Sequence, residues 1–123
     1  MKDNVEILKQ LSETNGVSGY ERNITSQVED VFSQYTDEIK YDNLGNLIAC
    51  KKGTAEEEIK VMFAAHMDEI GLMVNEIEDG GFLRFTAVGG VDQRTLVGQE
   101  VTVFAKEEEL QGIIGAKPPH VQS

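Results

Sequence analysis

Ile59-Lys60-Val61-Met62-Phe63-Ala64-Ala65-His66-Met67-Asp68-Glu69-Ile70-Gly71 is the stretch on which the fold reading turns. From Ile59 to Ala65 the run is apolar but for Lys60. Such a run suits a strand covered on both faces, as the central strands of α/β sheets are. His66 and Asp68 follow at its carboxyl end, where open α/β sheets place their ligand sites.

The residues on the N-terminal side fit that frame. Val5, Leu8 and Leu11 fall on one stripe with Ile7 beside it, which predicts a short helix over 4–13, ended by Asn15-Gly16. Ser18-Gly19-Tyr20-Glu21 has the form of a capping box, in which a hydroxyl and a carboxylate satisfy the first free amides of a helix. Ile24, Val28, Val31, Phe32 and Tyr35 continue it at helical spacing. Strands are predicted at 38–41 and 46–51 around the turn Asp42-Asn43-Leu44-Gly45. A polar loop from Lys51 through Glu56-Glu57-Glu58 leads back to the apolar run. This half reads as α/β, with helices on a mixed sheet.

Beyond Glu69 the texture changes. Strand-like runs recur at 71–77, 82–87, 100–105 and 110–115, separated by Asp79-Gly80-Gly81, Gly89-Gly90 and the polar stretch 106–109. This is the pattern of a small all-β unit. The composition shift places a domain boundary between residues 69 and 70, giving segments 1–69 and 70–123. Pro118-Pro119 reads as an extended link, and the chain is expected to stop before its fold does.

Composition narrows the function classes. The 123 residues suit one ordinary domain, and 40% hydrophobic with 27% charged residues is a globular balance. A net charge of -11 repels phosphate backbones and anionic lipid, so neither nucleic acid nor membrane is an expected partner. No apolar run approaches the roughly 20 residues of a membrane span. Met1-Lys2-Asp3-Asn4 lacks a secretory pattern, and the single Cys50 has no internal partner, so a cytoplasmic location is expected.

His66 and Asp68 carry the chemistry. A metal takes a neutral imidazole nitrogen, and the other ring nitrogen needs an acceptor to fix tautomer and orientation, which a carboxylate two residues on can supply. His-x-Asp alone is common by chance, and a histidine at a strand end is more often a structural hydrogen-bond donor than a metal ligand. His120 is a second possible ligand, although it follows the proline link. The runs 56–58 and 107–109 read as solvated turns, and Cys50 as a buried, inert thiol. Asp92 and Arg94 are placed for a local ion pair. Gly89, Gly90 and Gly98 serve backbone geometry, since no helix follows them to bind phosphate.

Taken together, four ordered stretches resemble peptidase family forty-two, the co-catalytic metalloaminopeptidases that include tetrahedral and glutamyl aminopeptidases and some proteins named endoglucanases. They are Gly16-Val17-Ser18-Gly19-Tyr20-Glu21; His66-Met67-Asp68-Glu69-Ile70-Gly71; Gly89-Gly90-Val91-Asp92 running to Leu96-Val97-Gly98-Gln99; and Gly112 to His120. The resemblance implies the N-terminal part of a zinc-exopeptidase-like α/β catalytic domain, followed by the start of a β-rich, barrel-like insert used for dimer contacts in shells of up to twelve subunits. It implies two divalent metals, zinc or cobalt, a glutamate general base and peptide substrates. By position it makes His66 a metal ligand and Asp68 its orienting carboxylate. The family's remaining ligands and its base lie beyond the insert, so this chain is expected to be a fragment, inactive alone.

Two alternatives stand beside that reading. A half-built sheet exposes apolar edges and would make the chain a non-catalytic self-association module. Glycoside hydrolysis would need two carboxylates flanking a sugar bond and no metal, but no such pair stands out, and Trp, the usual sugar platform, is absent.

Overall fold

The structure is a computed structural model that describes residues 3–54 and 59–116. Contacts divide the chain into two compact units, Met1–Gly89 and Gly90–Ser123. Main-chain bonds of Glu69, which directly precedes the second hairpin, join it to the loop after the first helix.

In the first unit, α1 (Asn4–Glu13) opens on Asp3, whose carboxylate accepts from the Val5 amide at 3.4 Å. The helix α2 (Arg22–Phe32) packs on α1 and on the strand β2. Ile24 of α2 is buried at 4% exposure over Gly16, where an added Cβ would lie 2.5 Å from Ile24 Cγ2. Only glycine admits that approach. The strands β1 (Glu38–Tyr41) and β2 (Leu47–Cys50) pair antiparallel around the predicted turn. Asp42 organises the turn by accepting from the amides of Leu44 and Asn46, each at 2.9 Å, and from Asn46 Nδ2 at 2.7 Å. Gly45 takes the left-handed conformation, φ 85°, that closes it. Tyr41 ties this hairpin to α2 by donating to Glu29 Oε2 at 2.5 Å. The strands β3 (Gly71–Ile77) and β4 (Leu83–Val88) form a second antiparallel hairpin, with a register shift between Val74 and Glu76.

In the second unit, the turn Gln93–Thr95 is capped by Asp92, which accepts from the Arg94 amide at 3.0 Å and pairs with Arg94 Nη2 at 2.7 Å. The expected local ion pair is therefore present. The strands β5 (Glu100–Phe104) and β6 (Glu109–Ile113) form a third hairpin, and Ile114, exchanging main-chain bonds with Gly98 and Gln99, is buried at 6% exposure.

Four expectations are corrected. Helix and strand are mixed as predicted, but among the described residues the strands form three separate two-stranded antiparallel sheets rather than one mixed sheet, and parallel pairing is confined to an isolated bridge between Val17 and Glu69. Residues 59–65 are not a covered strand. They pair with no strand among the described residues, and Val61, Met62 and Phe63 are 70%, 88% and 94% exposed. A central strand exists only by virtue of neighbours on both edges and layers on both faces, and the described residues supply neither. The capping box does not form: α2 begins at Arg22, and the Glu21 carboxylate accepts instead from the Gly19 amide at 2.6 Å. Cys50 is exposed, as the last residue of a strand in a two-stranded sheet. His120 and the glutamates 56–58 lie outside the described residues. Glu107 and Glu108 are exposed in the β5–β6 turn.

Candidate functional site

The site is built where two segments far apart in sequence meet. Glu69 clasps the loop after α1 from three directions. Its amide donates to Gly16 O at 2.8 Å, its carbonyl accepts from the Ser18 amide at 3.4 Å, and its side-chain Oε1 accepts from the Gly16 amide at 3.0 Å. The Val17–Glu69 bridge is the backbone expression of this clasp. Gly71 continues the close approach, since a Cβ there would collide with the Val17 side chain. Held this way, Ser18 faces Asp68, and its hydroxyl donates to Asp68 Oδ2.

Asp68 in turn faces His66. The imidazole Nδ1 lies 3.2 Å from Asp68 Oδ1 and 3.0 Å from the Asp68 main-chain oxygen. Both partners are acceptors. A carbonyl never donates, and the Ser18 hydroxyl holds the Asp68 carboxyl below the usual carboxylate range, with the local backbone and the His66 imidazole acting in the same direction against partial desolvation. Nδ1 must therefore carry the proton, which in the neutral ring leaves the lone pair on Nε2. Nε2 has no partner among the described residues, and the side chain is 86% exposed.

Beside His66 lies a cleft of about 450 Å³, lined among others by Glu21, Glu29, Tyr41, Asn46 and Asp68. Met67, between the two site residues, points to α2, where its sulfur lies 3.3 Å from the Thr25 hydroxyl, which donates to Glu21 O at 2.7 Å. This anchors the segment that carries the site although no sheet holds it.

The donor chemistry of His66 fits a divalent metal: a neutral imidazole, its tautomer fixed by a carboxylate, with an unshared nitrogen. It fits as one ligand. Among the described residues no group of three or more His, Cys, Asp or Glu gathers that could hold a metal ion, and a zinc site takes three or four protein ligands.

The structure thus brings His66 and Asp68 together. Sequence reasoning assigned no role here to Ser18 or Glu69. The signal was in the stretch Gly16 to Glu21, where the serine was read as a helix cap because its local pattern satisfies that role.

Residues 45–123 match the family described as M42 glutamyl aminopeptidase, and the chain belongs to that family. A lysyl aminopeptidase of Pyrococcus furiosus is 47% identical over 118 residues, covering 95% of this chain and 33% of that protein. Among solved structures, a TET aminopeptidase from a marine sediment thaumarchaeon superposes with a TM-score of 0.85 at 34% identity, covering 97% of this chain and 33% of the other. The TET1 peptidase of Pyrococcus horikoshii, which can assemble into a tetrahedron or a large octahedral shell, gives 0.78 at 42% identity, over 95% of this chain and 34% of its own. The chain spans about a third of the length of these relatives. No helix among the described residues is long and apolar enough to cross a membrane.

Proposed function

We propose that this chain contributes the first metal ligand, His66, and its orienting carboxylate, Asp68, to a metal-dependent aminopeptidase that removes N-terminal residues from peptides. One observation carries the reading: Nδ1 of His66 lies 3.0 and 3.2 Å from two oxygens of Asp68, an arrangement that suits a proton on Nδ1 and a free lone pair on Nε2. Membership of the family and the naming of the relatives as aminopeptidases support it. Two divalent ions, zinc or cobalt, would supply the polarised carbonyl and the activated water when bound. His66 would hold one of them, and Asp68 would keep the ring turned to it.

The described residues supply one ligand of the three or four that a zinc ion needs, so this chain by itself is proposed to be inactive. Residues 70–123 are proposed to open an insert domain following the catalytic segment 1–69, and the whole protein to be a cytoplasmic homo-oligomer, as the assembling TET relatives suggest.

The test is an assay of the purified chain with zinc or cobalt on aminoacyl chromogenic substrates, alongside the enzyme purified from its native source. We expect no metal-dependent turnover from the chain, and in the native-length enzyme a loss of at least about 100-fold in His66→Ala. Turnover by the chain that survives repurification overturns the inactivity. Undiminished activity in His66→Ala overturns the ligand assignment.

A second reading, self-association, is favoured by the exposed run 59–65. An apolar surface of that kind on a soluble chain draws a partner surface. The two readings are compatible in one protein, since covering this run and completing the site both call for further polypeptide.

A further inference from the structure

We propose that Ser18 is a positioning residue for His66. Its hydroxyl fixes one oxygen of Asp68 so that the other joins the Asp68 main-chain oxygen, 3.0 Å from Nδ1, in holding the proton on Nδ1 and leaving Nε2 unprotonated. The inference deepens, and rests on, the reading of His66 as a metal ligand.

The two oxygens of Asp68 are used differently. Oδ2 accepts from Ser18 Oγ and Oδ1 lies 3.2 Å from His66 Nδ1. Rotation of the carboxylate breaks both contacts at once, so what holds one oxygen aims the other. Packing does little to hold the imidazole, which is 86% exposed, while the Asp68 side chain beside it is 38% exposed. Hydrogen bonds must therefore set the orientation, and Ser18 is the partner in this chain that comes from a separate segment of the fold. Its own place is set by main-chain bonds around Glu69 that do not involve the hydroxyl. Deleting the hydroxyl leaves that clasp in place. The hydroxyl is not occupied in capping α2 either, because the helix starts at Arg22 with no side-chain cap. A capping role predicts loss of helix in Ser18→Ala, whereas a positioning role predicts a change in the imidazole and an unchanged helix.

The readout is the tautomer of His66 in the metal-free chain, from long-range proton–nitrogen correlations in a His120→Gln background, at about pH 8, above the usual histidine pKa of roughly 6.5. The otherwise unsubstituted chain is expected to show mainly the Nδ1–H form. A dominant Nε2–H form there overturns the proposal before any change at Ser18. Ser18→Ala is expected to move the ratio about 2–10-fold towards Nε2–H, the worth of one net hydrogen bond, with the circular dichroism of the helices unchanged. Ser18→Thr, which keeps the hydroxyl, is expected to restore the ratio. An unshifted ratio in Ser18→Ala, or a Thr variant that behaves as Ala does, overturns the proposal. Zinc uptake by the native-length enzyme separates the two readings. A tautomer shift with zinc affinity indifferent to His66→Ala leaves the positioning of His66 standing and removes the metal reading.

Discussion

At Asp68 a single carboxylate serves two partners, one from its own segment and one from a loop 50 residues earlier. The local half was legible in the sequence, because His-x-Asp spacing brings ring and carboxylate together whatever the rest of the chain does. The distant half was not, because the hydroxyl of Ser18 fits a capping box equally well by local rules, and nothing within four residues reveals a competing acceptor. On the proposed role of His66 as a metal ligand, Asp68→Ala is expected to weaken zinc binding by the native-length enzyme about 10–100-fold, measured by competition with a chromogenic chelator. Gly16 shows a second constraint of this scale. A methyl there would lie 2.5 Å from Ile24 Cγ2. Gly16→Ala is expected to destabilise the first unit by about 1–3 kcal/mol, as overpacking does, read from the urea midpoint of chain that keeps Ile24. The companion Ile24→Val should recover part of the loss.

At the level of elements, what could be read was what is decided locally. The helix over residues 4–13 and the hairpins β1–β2, β3–β4 and β5–β6 lie within two residues of their predicted bounds, because period and turn chemistry are properties of short windows. The run 59–65 is the instructive failure. Its composition states what environment it suits, not whether that environment is present, and a strand needs partners that composition cannot provide. The β1–β2 turn offers a test with a sign. Asn46 holds the Asp42 carboxyl below the usual carboxylate range, its side-chain amide contributing most and its backbone next, against a small desolvation cost. A carboxyl depressed by folding stabilises the fold above its unfolded pKa, and that contribution fades as pH falls through the folded value. Protection of the Leu44 and Asn46 amides from exchange, referenced to intrinsic exchange rates, should therefore be flat above about pH 4 and fall below it. In Asp42→Ala the same amides should be weakly protected at every pH. Protection in wild type that persists at low pH would sink this account of the turn.

Over the whole molecule two tendencies oppose each other. The charge of -11 keeps copies apart, while Val61, Met62 and Phe63 offer apolar surface. Salt decides between them, because the Debye length shrinks from about 30 Å at 0.01 M to about 8 Å at 0.15 M, whereas apolar contact is not screened. Sedimentation velocity should show a single slow species at low ionic strength and concentration-dependent association at the higher one. Phe63→Glu should suppress that association without altering the helices. Association that weakens as salt rises would point instead to ionic contacts.

The clasp between Glu69 and the loop at Gly16 also sets an order of events during synthesis. Gly16 leaves the ribosome 53 residues before the carboxylate that receives its amide, an interval of roughly 3–10 s at ordinary elongation rates. Through that interval Glu21 is within reach of Ser18 and Asp68 does not yet exist. The nascent chain can therefore use its serine to start α2, and only later surrender it to the aspartate. A histidine translated ahead of its own orienting carboxylate stays unaimed until the clasp closes, so the ring acquires its orientation only after both segments have been made.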